Sequence, residues 1–334
     1  MLYDRLEKKK VRCNVCRHRC TIIPGKRGYC RTRLNRNGTL YTLIYNRVSS
    51  MSNNPIEKKP LFHFYPGTFY LSVGSLGCNF RCPGCQNWEI SHAEIMETGR
   101  GTKEMTPEES IRLALRCNCQ GISWTFNEPA IWLEYTLEGA KLAKKRGLYT
   151  VYVTNGFITP EGLDQISPYL DAFRVDIKGF SEETYRKISS VRALSGVLDS
   201  ARLAKNKYHM HIECVTNVTP DINDDEDELK RLAEWIRDEL GPDTPWHVTR
   251  FYPYLDLSHL PPTPILKLER IRQIGFDAGL RYVYLGNVPG HPGNNTYCYN
   301  CGEMLIQREG LDVTLYRISD TKCPECGTVI YGRF

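Results

Sequence analysis

The sequence predicts an α/β protein built as a partial (β/α)6 barrel, with a small four-cysteine module towards each end of the chain. Three observations lead there. From Thr68 to Leu285, β-prone runs alternate with segments whose apolar residues recur at helical spacing, the pattern of a parallel sheet with helices outside. The first of these strands runs straight into a loop carrying Cys78, Cys82 and Cys85 at C-x3-C-x2-C spacing. Cys13, Cys16, Cys20 and Cys30 precede this region, and Cys298, Cys301, Cys323 and Cys326 follow it. The expected divisions are a basic metal-binding module at 1–48, a connector at 49–67, the barrel at 68–289 and a ribbon-like module at 290–334. A doubly wound open sheet is the alternative closure.

The 334 residues, 41% hydrophobic and 25% charged, have the composition of an ordinary globular chain. Met1 to Lys10 is charged and lacks an apolar core, so no secretory signal is expected. No apolar run approaches the ~20 residues of a membrane helix. Fourteen cysteines, many in C-x2-C groupings, read as metal ligands in a reducing cytoplasm and not as disulfides. The net charge of +6 is uneven, because residues 1–36 hold twelve Lys and Arg against Asp4 and Glu7. Such an arm attracts an acidic protein face or a nucleic acid, unless thiolates of a metal site in the same segment compensate it.

In chain order, Cys13-x2-Cys16-x3-Cys20-x9-Cys30 lies in a stretch too short for a core of its own, so bound metal would fold it. Zinc is the first assignment and an auxiliary 4Fe–4S cluster the second, since thiolates serve both. His18 reads as a neighbour of this set and not a ligand. Leu40–Val48 suggests a hairpin strand, and polar Ser49–Pro60 with its two prolines a connector. Strands are expected at 68–73, 121–126, 148–154, 172–177, 209–215, 246–251 and 281–285. Helices fall between them, at 106–119, after Pro129, from Thr159, around Leu194–Ala201, at 224–240 and at 264–278. The last module has two C-x2-C pairs, each followed by glycine (Gly302, Gly327), the signature of a zinc ribbon. Cys117, Cys119 and Cys214 read as buried small hydrophobes.

Three thiols on one loop suit an iron–sulfur cubane with one iron open to a small molecule, whereas structural zinc wants four ligands. This loop, Gly77-Cys-Asn-Phe-Arg-Cys-Pro-Gly-Cys-Gln-Asn-Trp-Glu89, resembles that of the radical S-adenosylmethionine (SAM) superfamily. Its Cys-Gln-Asn is similar to the Cys-His-Asn of pyruvate formate-lyase activating enzymes, with Gln86 in place of His. Asn54–Phe64 and Gly290–Cys298, together with the loop, resemble the AmmeMemoRadiSam-system enzymes over nearly the whole chain.

The resemblance implies a TIM-like radical SAM barrel. It also implies a 4Fe–4S cluster on Cys78, Cys82 and Cys85, and reductive cleavage of SAM to a 5′-deoxyadenosyl radical that abstracts hydrogen. Thr125-Phe-Asn-Glu-Pro129 is similar to the Gly-Gly-Glu-Pro segment, which assigns Asn127 and Glu128 to the SAM ammonium. Thr154-Asn155-Gly156 and Asp176-Ile-Lys178 match the Thr-Asn-Gly and Asp-x-Lys of activating enzymes, placing Lys178 on the SAM carboxylate with Asp176 orienting it. Asn87 and Trp88 would meet the adenosyl part. His247 and Arg250, on the sixth strand near the mouth, read equally as rim or core residues, and His247 is counted among the cofactor-binding candidates. Two departures stand out: Gly84 where the superfamily commonly has an aromatic residue, and Val153 where activating enzymes have an acid beside a cation.

The expected protein is thus a cytoplasmic oxidoreductase acting on an unidentified small molecule, peptide or protein, with zinc besides the cluster. Its reductant would be a donor such as flavodoxin or ferredoxin. A glycyl-radical-type activating enzyme and a non-catalytic zinc-binding adaptor are the alternatives.

Overall fold

The structure, a computed structural model, describes residues 2–95 and 101–334. Its centre is one sheet of eight strands: β1 (Ser50–Pro55), β2 (Phe69–Gly74), β3 (Gly121–Trp124), β4 (Tyr149–Thr154), β5 (Ala172–Asp176), β6 (His211–Val218), β7 (Trp246–Arg250) and β8 (Val283–Gly286). In space the strands keep their chain order, parallel from β2 to β8, with β1 antiparallel to β2. The helices are α1 (Pro107–Arg116), α2 (Leu133–Lys145), α3 (Pro160–Ile166), α4 (Glu182–Ser189), α5 (Leu194–Arg202), α6 (Glu226–Trp235) and α7 (Ile265–Asp277). Their starts obey local chemistry. Thr106 and Glu109 form a reciprocal cap on α1, and Thr159, Ser181 and Asp225 accept backbone N–H groups at the starts of α3, α4 and α6.

A doubly wound sheet would reverse its strand order and carry helices on both faces. Neither holds here. Phe173, Val175, Ile212, Cys214, Trp246 and Val248 pack with Leu133, Leu163, Val197, Leu229 and Leu268 of the helices in one core. The alternate residues Arg174, Asp176, Val215, Asn217, His247 and Thr249 face a cavity instead. A flat sheet of eight strands would be roughly 34 Å wide at about 4.8 Å per strand. Yet Ser52 and Asn54 of β1 and Gly286 of β8 line the same cavity, so the sheet wraps round it.

The polar stretch 49–60 is not the connector expected. Residues 50–55 form the antiparallel edge strand β1, which needs no apolar face because Ser52 and Asn54 look into the cavity. Pro55, lacking an N–H, sits at its last position, where an edge tolerates it. Helix α4 was not anticipated, and β6 extends to Val218 instead of ending at Val215. Cys117 is exposed, because it caps α1 beyond its apolar face.

The N-terminal segment has no core of its own; Val11, Val15, Ile22 and Leu40 join the main one. Buried Arg33 locks it to α2 through two 2.8 Å bonds to Glu134 and a 2.9 Å bond to Ile131 O. The C-terminal segment is a three-stranded antiparallel sheet (Thr296–Tyr297, Met304–Glu309, Asp312–Tyr316) packed through Leu305 and Ile306 on Phe62, Tyr282 and Tyr284. Among the described residues no helix is long and apolar enough to cross a membrane.

Candidate active site

The loop after β2 is pinned at the carboxyl end of the sheet, where parallel α/β folds place their chemistry. Asn127, just past β3, donates to Gly77 O (2.8 Å) and accepts from Ser75 N–H (3.1 Å). Gly77 has φ +83°, and a side chain there would stand 2.6 Å from Thr32 Cγ2 and 2.9 Å from Cys30 O. Arg81 donates to Cys78 O and Phe80 O, each at 2.8 Å, closing the loop on itself. Cys78 Sγ accepts the Phe80 N–H at 3.4 Å, and Asn155 Nδ2 lies 3.8 Å from the same sulfur. Cys78, Cys82 and Cys85 are all half-buried and line a cavity of about 670 Å³.

Glu128 is buried and ties three elements together, accepting from Ala130 N–H (2.9 Å), the Thr154 hydroxyl (2.7 Å) and Asn155 N–H (2.8 Å). Burial pushes its carboxyl up to about 7, against the pull of those bonds. Asn155 also donates to Asn79 Oδ1 at 2.7 Å, so the ends of β3 and β4 both grip the cysteine loop. Asp176 is paired on one oxygen with Arg174 and on the other, at 3.0 Å, with Lys178. Burial opposes its ionisation, but the two cations prevail and hold it below the usual aspartate value. Lys178 is lifted above the ordinary lysine range by Asp176 and Cys82, which outweigh burial. Asn87 donates to Phe126 O at 2.7 Å beside the cavity, while Trp88 remains 42% exposed.

His247 is not at the mouth. It is the second residue of β7, fully buried on the cavity floor, with Nε2 2.6 Å from Glu213 and its ring stacked on Tyr284. Side-chain alternation explains this: the strand turns His247 inward a full turn of pleat below Thr249. Arg250 is half-buried, its Nε on Thr263 O at 2.8 Å.

Several site residues escaped the sequence reading. Glu213, fully buried, takes bonds from the backbone N–H groups of Phe62 (3.0 Å) and His63 (2.8 Å) and from the rings of His211 and His247. It thereby anchors the 54–64 segment beneath the cavity. Arg174, two residues before Asp176 on β5, shares its cavity-facing side by strand alternation, a signal the sequence reading left unused. Beside Gly84, Phe251 and Leu257 occupy the space, at 3.3 and 2.9 Å from where a β carbon would stand. An aromatic wall is thus supplied from β7's end and not from the loop. Lys59 lines the cavity at 3% exposure, and its charged neighbours are two cations, Lys58 and Arg174.

Away from the cavity, Cys298 Sγ lies 3.6 Å from Cys326 Sγ and Cys301 Sγ 3.7 Å from Cys323 Sγ, with all four ligand atoms within 4.8 Å of one another. Gly302 and Gly327, at φ +78° and +71°, turn each pair so that their N–H groups meet Cys298 O and Cys323 O.

The pattern of the radical SAM superfamily matches residues 72–236. An uncharacterised protein of Methanocaldococcus jannaschii, MJ0808, is 44% identical over 332 residues, covering 99% of this chain and 98% of that one. Pyruvate formate-lyase 1-activating enzyme of Escherichia coli K12 is 26% identical over 170 residues, 48% of this chain and 66% of that enzyme. Among solved structures, a radical SAM methyltransferase from Sphaerobacter thermophilus superposes with a TM-score of 0.50 at 14% identity, covering 72% of this chain and 71% of that one. Streptococcus suis SuiB bound to S-adenosylmethionine gives 0.52 at 11% identity, over 70% of this chain and 53% of SuiB. With its cysteine loop at the carboxyl end of a wrapped parallel sheet, the chain belongs to the radical SAM superfamily.

Proposed function

We propose that this protein is a SAM-cleaving radical enzyme, built on six βα units and a closing seventh parallel strand. The observation that carries the reading is the three-thiol loop opening into the 670 Å³ cavity, with Asn155 and Lys178 beside its sulfurs. The donor set fits the group: three thiolates on one loop, backbone and amide donors to sulfur, and no fourth thiol on the loop. When bound, the cluster supplies an electron and SAM the 5′-deoxyadenosyl radical that abstracts hydrogen from the substrate.

The protein's own residues bind, orient and enclose. Lys178, steadied by Asp176, offers donors to a carboxylate, and Glu128 offers negative charge to an ammonium. Asn127, Thr154 and Asn155 hold the loops that present these groups, and Asn87, Phe251 and Leu257 flank the adenosyl side. Lys59 and Arg174 line the cavity with Asp176 paired to Arg174 and Glu57 engaged by Arg308 and the Gly67 N–H, which leaves Lys59 without a carboxylate partner of its own and favours a substrate bearing an anionic group. His247 serves the floor through Glu213 and not SAM.

The similarity to an activating enzyme favours a second version, in which the hydrogen comes from a protein partner and the reductant is a flavodoxin or ferredoxin. In the C-terminal quartet, the 3.6 and 3.7 Å sulfur pairs approach the about 3.8 Å edge of a tetrahedron with zinc–sulfur bonds of about 2.3 Å, which supports a zinc ribbon. The decisive test is anaerobic incubation of the reconstituted, reduced protein with SAM. Formation of 5′-deoxyadenosine and methionine supports the reading; a loaded, reduced cluster without cleavage rejects it in favour of a zinc-bearing adaptor.

A further inference from the structure

We infer that Cys13, Cys16, Cys20 and Cys30 hold a second 4Fe–4S cluster, set to pass electrons to the cluster on Cys78, Cys82 and Cys85. The relay half of this inference rests on the function proposed above; the cluster itself does not.

The chain contains three cysteine sets, and they differ in width. The C-terminal quartet is, among the described residues, the one group of three or more Cys, His, Asp or Glu ligand atoms lying within 4.8 Å of one another. That is the size of a single-ion site. The N-terminal four converge without reaching that closeness. Cys13 N–H bonds Cys20 O at 3.0 Å, and Cys13, Cys20 and Cys30 all lie within electrostatic reach of Cys16. Thiolates on separate irons of a cubane stand roughly 6 Å apart, because each is bound outside a different corner. The Cys78, Cys82 and Cys85 sulfurs, on which the superfamily carries its cubane, are likewise wider than the single-ion group. The N-terminal set is therefore, like the loop, wider than the single-ion ribbon site.

Its surroundings suit a cluster. Cys13, Cys16 and Cys30 are buried and Cys20 half-buried. Tyr29 N–H donates to Cys20 Sγ at 3.4 Å, and the Thr32 hydroxyl lies 3.2 Å from Cys30 Sγ. Fully buried Arg33 lies within electrostatic reach of Cys13 and Cys30, a fixed positive charge against an anionic cluster.

Position supplies the purpose. The cysteine loop and the N-terminal module touch at residues adjoining their ligands: Cys30 O and Thr32 crowd Gly77, next to Cys78. His18 Nε2 is 2.7 Å from Asn79 O, and its ring stacks on Tyr29 at 4.3 Å between centroids. Arg81, between Cys78 and Cys82, donates to Tyr29 O at 3.1 Å. One electron leaves a low-potential donor protein of the flavodoxin or ferredoxin class and reduces the N-terminal cluster by one charge. The same electron then moves to the cluster on the loop; no bond is made or broken and no proton is needed. Exposed Lys8, Lys9, Arg12, Lys26 and Arg31 surround the module, suiting an acidic donor.

The test uses the full-length protein, purified and reconstituted without oxygen. Iron, sulfide and zinc are measured alongside Mössbauer and electron paramagnetic resonance spectra. Wild type is expected to hold about eight irons and one zinc, and the Cys78→Ala/Cys82→Ala/Cys85→Ala variant about four irons with cubane spectra. An iron-free triple variant carrying about two zinc ions overturns the inference. Cys20→Ser provides a check independent of that variant's folding. It should lose about four irons, and retention of all eight overturns the assignment. In Cys20→Ser, SAM cleavage driven by reduced flavodoxin should fall at least tenfold relative to cleavage driven by dithionite; equal rates relative to wild type refute the relay. Four residual irons in the triple variant, together with no SAM cleavage by loaded wild type, would uphold the second cluster while rejecting the proposed activity.

Discussion

Replacing Lys59 with methionine tests the electrostatics of the cavity's substrate end. Lys59 is 3% exposed. Burial first, then the positive charges of Lys58 and Arg174, push its amine down to about 7 from an ordinary 10.5. The unfolded chain therefore binds the extra proton between about pH 7 and 10.4, so this residue makes stability rise with pH across that window. Below pH 7 the penalty is complete, and the fall from 10.5 to about 7 corresponds to roughly 5 kcal/mol. Methionine keeps the apolar stem and removes the charge. Lys59→Met should accordingly be the more stable protein at pH 6.5, by up to roughly 5 kcal/mol, and the advantage should vanish near pH 10. Urea denaturation of the anaerobic, metal-loaded protein at several pH values measures this. Inorganic phosphate, compared with chloride at equal ionic strength, should narrow the gap at pH 6.5 by giving Lys59 a counter-ion. Parallel pH profiles for the two proteins, or a less stable variant at pH 6.5, would refute the reasoning.

Lys178→Ala should weaken SAM binding about 10- to 100-fold, the loss of a charge-assisted bond, while thermal stability changes little because Arg174 still pairs with Asp176. Calorimetric titration with SAM checks the first half; tight binding with a collapsed melting point would make the residue structural. Glu134→Ala leaves buried Arg33 without its carboxylate, a cost of about 3–5 kcal/mol, and should make residues 1–48 the first segment cut by protease. Unchanged cleavage kinetics would discount that anchor. Cys301→Ser with Cys326→Ser should remove about one zinc per chain and leave iron content intact. Iron loss without zinc loss would contradict the ribbon.

Much of the site was written in local pattern. Cys78, Cys82 and Cys85 announce themselves as three thiols on one short loop, and Asp176 and Lys178 through the resemblance of their Asp-x-Lys, placed after an apolar strand, to that of activating enzymes. Apart from α4, the helices follow from apolar periodicity within short windows, and the parallel order from the alternation of strand and helix along the chain. Other features belong to the tertiary structure alone. Ser50–Pro55 reads as a connector because its strand character comes from pairing with β2 and from a polar cavity, not from its own composition. His247 reads equally as a rim or a core residue until the register of β7 buries it on Glu213, thirty-four positions away in sequence. Phe251 replaces the aromatic missing at Gly84 only because the sheet wraps β7's end over the loop. Spacing along the chain left the N-terminal cysteines open between zinc and a cluster. Ligand choice depends on distances between sulfurs in space, and those are set by how Arg33, Gly77 and His18 pack the module against the barrel.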